Sequence, residues 1–279
     1  MRSNLQGNEV RVEAEYACLE PFGGGLVGRV MECGEAATAL QDARVLVTPV
    51  IACGECHTCR AGAAMVCPDR KILETDSEGG YGKSVVCAGR WLTRLEDPLE
   101  LDGPIAALVA GPALRAYGLF CRAGVAAGDV VVVLGSSPVA GILAKLATAR
   151  GCKVVEGLST TADIDAKLVE LDCQNRPLKL FACDGEANLA LATQVAQPAS
   201  TIAGGTGMGE LDAAIVYKKG LSVFAQEFAH PDLLPELAAL VVKKELDLGV
   251  FPVLVALSPE NRLQSQHAFN QGKCLVTHY

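Results

Sequence analysis

Four cysteines fall within one short stretch of the chain. Cys53, Cys56, Cys59 and Cys67 stand in the run Cys-Gly-Glu-Cys-His-Thr-Cys-Arg that continues to Cys-Pro, a C-x2-C-x2-C-x7-C spacing. Four thiolates this close can surround a single tetrahedral metal ion. The residues between them (Gly54, Glu55, Thr58, Gly62, Ala63, Ala64) are small or polar and build no core of their own, so the metal must supply the local folding energy. A closed shell of four thiolates leaves no position for water, which makes the ion structural rather than catalytic. Soft ligands of this kind suit zinc or an iron–sulfur cluster. Pro68 after Cys67 matches a ferredoxin run, but such runs have three residues before the last cysteine and this loop has seven. Four unrelated thiols, or disulfides, are the remaining alternative. The expectation is one structural zinc, with His57 a solvated neighbour of a full shell.

The chain has 279 residues, half of them hydrophobic, enough to bury a large core in one or two domains. Its formal charge is −8 and it has no long basic run, which argues against nucleic acid or an anionic membrane surface as partner. The first residues are polar, without an apolar signal segment, and no apolar stretch reads as long enough to span a bilayer. Twelve cysteines in a chain of this length are expected to be cytoplasmic thiols plus a metal site, the scattered eight filling the core.

The first third reads as β structure. Glu9–Ala14, Val27–Glu32, Ala43–Val50 and Lys83–Ala88 are strand candidates, and Gly79, Gly80 and Gly82 mark a turn. Beyond Leu101 the pattern changes. Pro104–Cys121 reads as a helix. Val130–Leu134 is a continuous β-branched run, as in a parallel strand buried on both faces. After the break at Gly135-Ser136-Ser137-Pro138, a helix runs from Val139 to Arg150 and a second strand starts at Lys153. This β-turn-α-β unit opens a doubly wound sheet. Further strands are expected at Leu178–Cys183, Ser200–Ala203, Leu221–Phe228 and Lys273–Thr277, and helices at Ala187–Val195, Asp232–Lys244 and Pro259–Asn270.

In this order the residues resemble the medium-chain dehydrogenase/reductase superfamily, the zinc alcohol dehydrogenases in particular. The likeness rests on Val10-Arg11-Val12-Glu13-Ala14, Gly28-Arg29-Val30, the cysteine loop, Arg122-Ala123-Gly124-Val125 with Gly128-Asp129-Val130, and the loop Gly135–Val139. The resemblance implies an α/β protein with a GroES-like β domain plus a Rossmann doubly wound parallel sheet. The first would span residues 1–115, completed by 250–279, and the second 116–249. It implies a homodimer through the last Rossmann strands, with Leu221–Phe228 as the edge, and a small-molecule substrate.

The same resemblance implies a catalytic zinc held by a cysteine, a histidine and a second cysteine, with a glutamate nearby. Cys18 matches the first. Gly24 and Gly25 stand where the histidine and glutamate belong, and Gly111 where the second cysteine belongs. A catalytic zinc needs three protein ligands and an open position, so it is expected to be absent. The segment after Cys18 is also too short for the usual loop lining the cleft. In the nucleotide loop the pattern Gly-x-Gly-x-x-Gly/Ala reads Gly135-Ser136-Ser137-Pro138-Val139-Ala140, with Ser137 in place of the middle glycine. NAD(P) is therefore expected to bind weakly, through Gly135, Ser136, Ser137, Pro138 and Val139. Glu156 or Ser159 would lie at the ribose. The glycine-rich turn Gly204–Gly209 would approach the nicotinamide or be a surface turn, and Trp91, Tyr16 and Tyr81 are expected in the core.

Two functions follow. One is a zinc-independent NAD(P)H-dependent reductase. The other is a non-catalytic relative serving as a binding or scaffolding subunit.

Overall fold

The structure is a computed structural model and describes residues 5–20, 24–73, 82–96, 101–204, 210–248, 252–256 and 258–279. The turn at Gly79, Gly80 and Tyr81, and residues 205–209 of the second glycine-rich turn, lie outside them.

Alternation of apolar and polar residues sets the first sheet. β1 (Glu9–Leu19) buries Val10, Val12 and Ala14 and turns Glu13 outward, and β2 (Leu26–Cys33) pairs with it antiparallel. β3 (Arg44–Val47) follows, then the hairpin of β4 (Val50–Ile51) and β5 (Lys71–Ile72) that brackets the cysteine loop and its one-turn helix α1 (His57–Arg60). β6 (Ser84–Ala88) pairs with β1, and β7 (Leu92–Arg94) with β3.

The crossing to the second sheet is one composite helix. α2 (Gly103–Leu108) and α3 (Leu114–Arg122) are joined by a π-turn at Val109–Ala113, where Pro112 and Gly111 interrupt the regular ladder. The sequence reading finds no stretch fit to cross a bilayer. Gly103–Arg122 is in fact long and apolar enough by length and composition, yet most of it is buried inside the fold. It is a core helix, which is why it is apolar all round.

β8 (Val130–Leu134) then lies inside a parallel sheet, paired with a strand on either side. Val131 and Val133 face one core, with α3 and α4 (Pro138–Ala149), while Val130, Val132 and Leu134 face the other. A strand buried on both faces has no polar side to offer, hence the unbroken apolar run. β9 (Lys153–Glu156), α5 (Thr161–Glu170), β10 (Leu178–Ala182), α6 (Glu186–Val195), β11 (Thr201–Gly204), α7 (Ala213–Lys219) and β12 (Ser222–Ala225) complete the sheet, ordered β12-β11-β10-β8-β9. α5 has no counterpart in the sequence reading because only Ile164 and Leu168 of it are buried, too sparse an apolar stripe to register. α8 (Leu234–Val242) leads back to the first sheet, where β13 (Pro252–Val255) and β14 (Cys274–His278) flank α9 (Pro259–Asn270), β14 pairing with β1 and β13 with β14.

Candidate functional site

The cysteine loop closes on itself. The four sulfurs lie within 4.8 Å of one another. Three pairs stand at 3.5 Å (Cys67–Cys53), 3.8 Å (Cys56–Cys67) and 3.9 Å (Cys53–Cys59). A tetrahedral zinc with bonds of about 2.3 Å sets its sulfurs about 3.8 Å apart, so the spacing fits one zinc ion. It is far from the roughly 2.05 Å of a disulfide, and a multi-iron cluster does not fit between sulfurs this close. The Cys56 N–H donates to Cys53 Sγ (3.4 Å) and the Cys59 N–H to Cys56 Sγ (3.5 Å).

These bonds divide the charge unevenly. Hydrogen bonds from the backbone at Glu55 and Cys56, aided by Cys67, pull the Cys53 thiol down to about 6. Desolvation first, and then the neighbouring sulfurs, push Cys59 up to about 12. A central dication is what allows four thiolates to coexist. The lobe packs on Ala52, Ala64 and Trp91. Arg90 donates to the Cys53 carbonyl (3.2 Å) across Gly54, whose φ of +78° and missing Cβ admit the guanidinium. Trp91 is thus a lobe core residue, and Tyr16 packs against the main core with its ring tilted against His278, centroids 4.7 Å apart.

The crevice around Cys18 is built differently. Cys18 is fully buried, and among the described residues it joins no group of three or more ligand-type side chains. Glu20 and Arg115 meet beside it, both buried, with Arg115 Nη2 3.4 Å from Glu20 Oε2. Burial raises the Glu20 pKa against the opposing pull of Arg115 and of the Cys18 thiol. Gly25 and Gly111 close the space from either side. A Cβ on Gly25 would lie 2.5 Å from the Gly111 nitrogen, and one on Gly111 would lie 2.6 Å from Glu20 Oε1. The cavity left against Gly111 and Arg115 measures about 10 Å³, room for about one water molecule. Neither a histidine at residue 24 or 25 nor a cysteine at 111 is present to reach Cys18.

Sequence reasoning did not single out Glu20 or Arg115. The signal was there: Arg115 is the lone charge in the apolar run between Asp102 and Arg122, and a charge placed so is normally paired.

The nucleotide loop joins β8 to α4 at the C-terminal edge of the parallel sheet, where such sheets bind ligands. Ser137 caps α4, its hydroxyl accepting from the Ala140 N–H at 3.4 Å. Pro138 and Val139 are buried in the first helical turn. Glu156 ends β9 in register with Val133, exposed, and Ser159 is exposed beyond it. The N–H groups of Ser136 and Ser137 both donate to Asp184, a residue the sequence reading passed over. A groove of about 650 Å³ lies elsewhere, between the cysteine lobe and the end of β12, lined by Met65, Val66, Cys121, Arg122 and His230 among others.

An antiparallel sheet bearing a four-sulfur lobe, coupled to a parallel nucleotide-type sheet, defines a zinc-lobed dehydrogenase fold. Residues 7–97 match the alcohol dehydrogenase GroES-like domain family. A 2-dehydro-3-deoxy-L-galactonate 5-dehydrogenase of Pseudoalteromonas atlantica is 30% identical over 131 residues, 47% of this chain and 37% of that protein. A sorbitol dehydrogenase of Halalkalibacterium halodurans is 29% identical over 152 residues, 53% of this chain and 43% of that one. The matched stretches thus span well under half the length of these relatives.

Among solved structures, galactitol-1-phosphate dehydrogenase from Escherichia coli superposes with a TM-score of 0.82 at 16% identity, over 100% of this chain and 95% of that one. A short chain alcohol dehydrogenase from Escherichia coli CFT073, complexed with NADH, gives 0.80 at 17% identity, over 98% and 93%. The first third of the chain thus matches the alcohol dehydrogenase GroES-like domain, and the whole chain shares its fold with these solved dehydrogenase structures.

Proposed function

We propose that this chain is a member of an oxidoreductase family that keeps the structural zinc and does not carry out zinc-dependent alcohol oxidation. The observation that carries this reading is the buried Glu20–Arg115 pair beside Cys18, wedged against the touching backbones of Gly25 and Gly111. A catalytic zinc requires three protein ligands and a vacant position for water or substrate. Here one sulfur faces a carboxylate that is already paired, and the cavity against Gly111 and Arg115 measures only about 10 Å³. The geometry therefore does not fit a catalytic zinc.

Of the two roles open to such a protein, the filled crevice favours the non-catalytic one, a binding or scaffolding subunit. A zinc-independent reductase is the second reading. It is favoured by the complete parallel sheet and by the NADH bound to a structural neighbour of the same fold. It would polarise its carbonyl substrate with hydrogen bonds in place of a metal. Metal analysis combined with an alcohol oxidation assay tests the proposal. One zinc per chain and no alcohol-driven reduction of NAD(P)+ are expected. Two zincs per chain, or turnover that a chelator abolishes while the fold persists, would overturn it.

The assembly proposed is a symmetric dimer. β12 is the edge of the five-stranded sheet and its Val223 and Phe224 are only half-buried, so two such edges can pair about a two-fold axis. Sedimentation at a monomer mass would contradict this.

A further inference from the structure

The loop that carries the expected dinucleotide site is already bonded. Ser136 N and Ser137 N lie 2.6 and 2.8 Å from the same oxygen, Asp184 Oδ2. Asp184 follows β10 and stands beside the loop because β10 and β8 pair in parallel, Ala182 level with Leu134. Gly135 adopts a φ of +126° and passes so close to Asp184 that a Cβ there would collide with the carboxylate. The outer side is covered too. Ser136 Oγ donates to the Asn270 carbonyl at the end of α9 (3.0 Å), and Gly272 passes close to the Ser136 carbonyl.

We propose that Asp184 is a built-in anion: its carboxylate takes the loop N–H groups that a dinucleotide pyrophosphate would need, so the loop is closed to NAD(P) in this chain. The N–H groups at the start of a helix favour a negative partner, and a pyrophosphate binds through the same donors. A carboxylate bonded to both donors leaves them nothing to give. It also places a like charge where the second anion would arrive. The degraded glycine pattern then has a physical counterpart. Ser137 no longer needs to admit a phosphate, because the partner of the loop is part of the chain. This inference goes beyond the reading of the Cys18 crevice, and each fails alone: metal content tests that one, anion binding tests this one.

The test is titration of the full chain with NADH and with inorganic pyrophosphate, in the wild type and in Asp184→Ala and Asp184→Ser. The wild type is expected to show no saturable binding of either up to millimolar concentration. The variants, with two donors left unbonded, are expected to melt lower than wild type. Pyrophosphate should raise their melting temperature but not that of the wild type, and should bind them at least tenfold more tightly. Micromolar NADH binding by the wild type, or variants whose pyrophosphate affinity stays within twofold of wild type, would overturn the proposal. Should the variants fail to fold, amide hydrogen exchange of the wild type decides. Ser136 and Ser137 are expected to be protected without ligand and unchanged by NADH, and fast exchange, or protection that NADH induces, refutes the closed loop.

Discussion

The cysteine lobe and the Cys18 crevice are the two places where this family resemblance calls for a metal, and they have diverged completely. In the lobe, three sulfur pairs stand 3.5–3.9 Å apart on a small apolar cluster that includes Ala52, Ala64, Met65 and Trp91. In the crevice a single sulfur is enclosed by an ion pair and two glycine backbones. The difference lies in what each metal would do for the fold. The lobe's apolar core is small, built on Ala52, Ala64 and Trp91, so a metal ion would supply much of its folding energy. The crevice is lined by the main core of the molecule, where direct packing and the Glu20–Arg115 ion pair hold the fold together.

The comparison breaks most visibly at the lobe. Cys56→Ser or Cys67→Ser is expected to take zinc from one per chain to none and to unfold residues around 50–72. Structural zinc contributes on the order of 10 kcal/mol in small peptide sites, so the loss should be the largest seen for any single substitution. Metal analysis with thermal melting checks it, and unchanged zinc content would refute the ligand assignment. Cys18→Ser should leave the zinc content at one.

Next comes the crevice pair. Arg115→Ala strands a buried carboxylate and is expected to destabilise by about 3–5 kcal/mol. Replacing both partners, Glu20→Leu with Arg115→Leu, should recover most of that loss, since an apolar pair is often as stable as a buried ion pair. Denaturant unfolding of the three variants measures it. A double variant no better than the single one would show that the pair does more than fill space.

A third substitution probes whether the crevice retains any capacity for metal. Gly111→Cys restores a thiol where the resemblance implies one, but its Cβ would press on Glu20 Oε1. The expected outcome is overpacking that destabilises by about 1–3 kcal/mol, with zinc still at one per chain. A second zinc bound by this variant would mean that the crevice is a metal site lacking only a ligand.

The smallest effect is on pH. Glu20 is raised above its ordinary 4.5 by burial, so between that value and its native value the folded chain holds a proton the unfolded chain has released. Its contribution to stability is therefore fully present below about pH 4.5 and is lost as pH rises to the native value, at up to about 1.4 kcal/mol per pH unit. Glu20→Gln should abolish that decline. Melting curves of both proteins across the window, compared pairwise, cancel the separate loss of thiolate ligands to acid.

Much of this was legible before any coordinates. The C-x2-C-x2-C-x7-C spacing is a local code, and the sulfurs converge as it requires. Val130–Leu134 and Pro259–Asn270 were likewise readable, one from an unbroken β-branched run and the other from a polar helix between turn signals. α5 and β13 were not, because few of their residues are buried and an exposed element leaves little apolar rhythm. The helix was read at Pro104–Cys121, but its length and apolarity, enough by themselves to cross a bilayer, were not, since burial on all sides produces the same composition as a bilayer does.

What the sequence determined alone was the four-cysteine lobe, the order of the two sheets and the glycines at 24 and 111, because each depends on neighbours along the chain. What only the tertiary structure decided was which side chains meet: Arg115 with Glu20, and Asp184 with a loop 48 residues away. Such contacts are set by how strands stack and helices cross. A carboxylate therefore shows its partner only after the backbone has brought it within hydrogen-bonding distance.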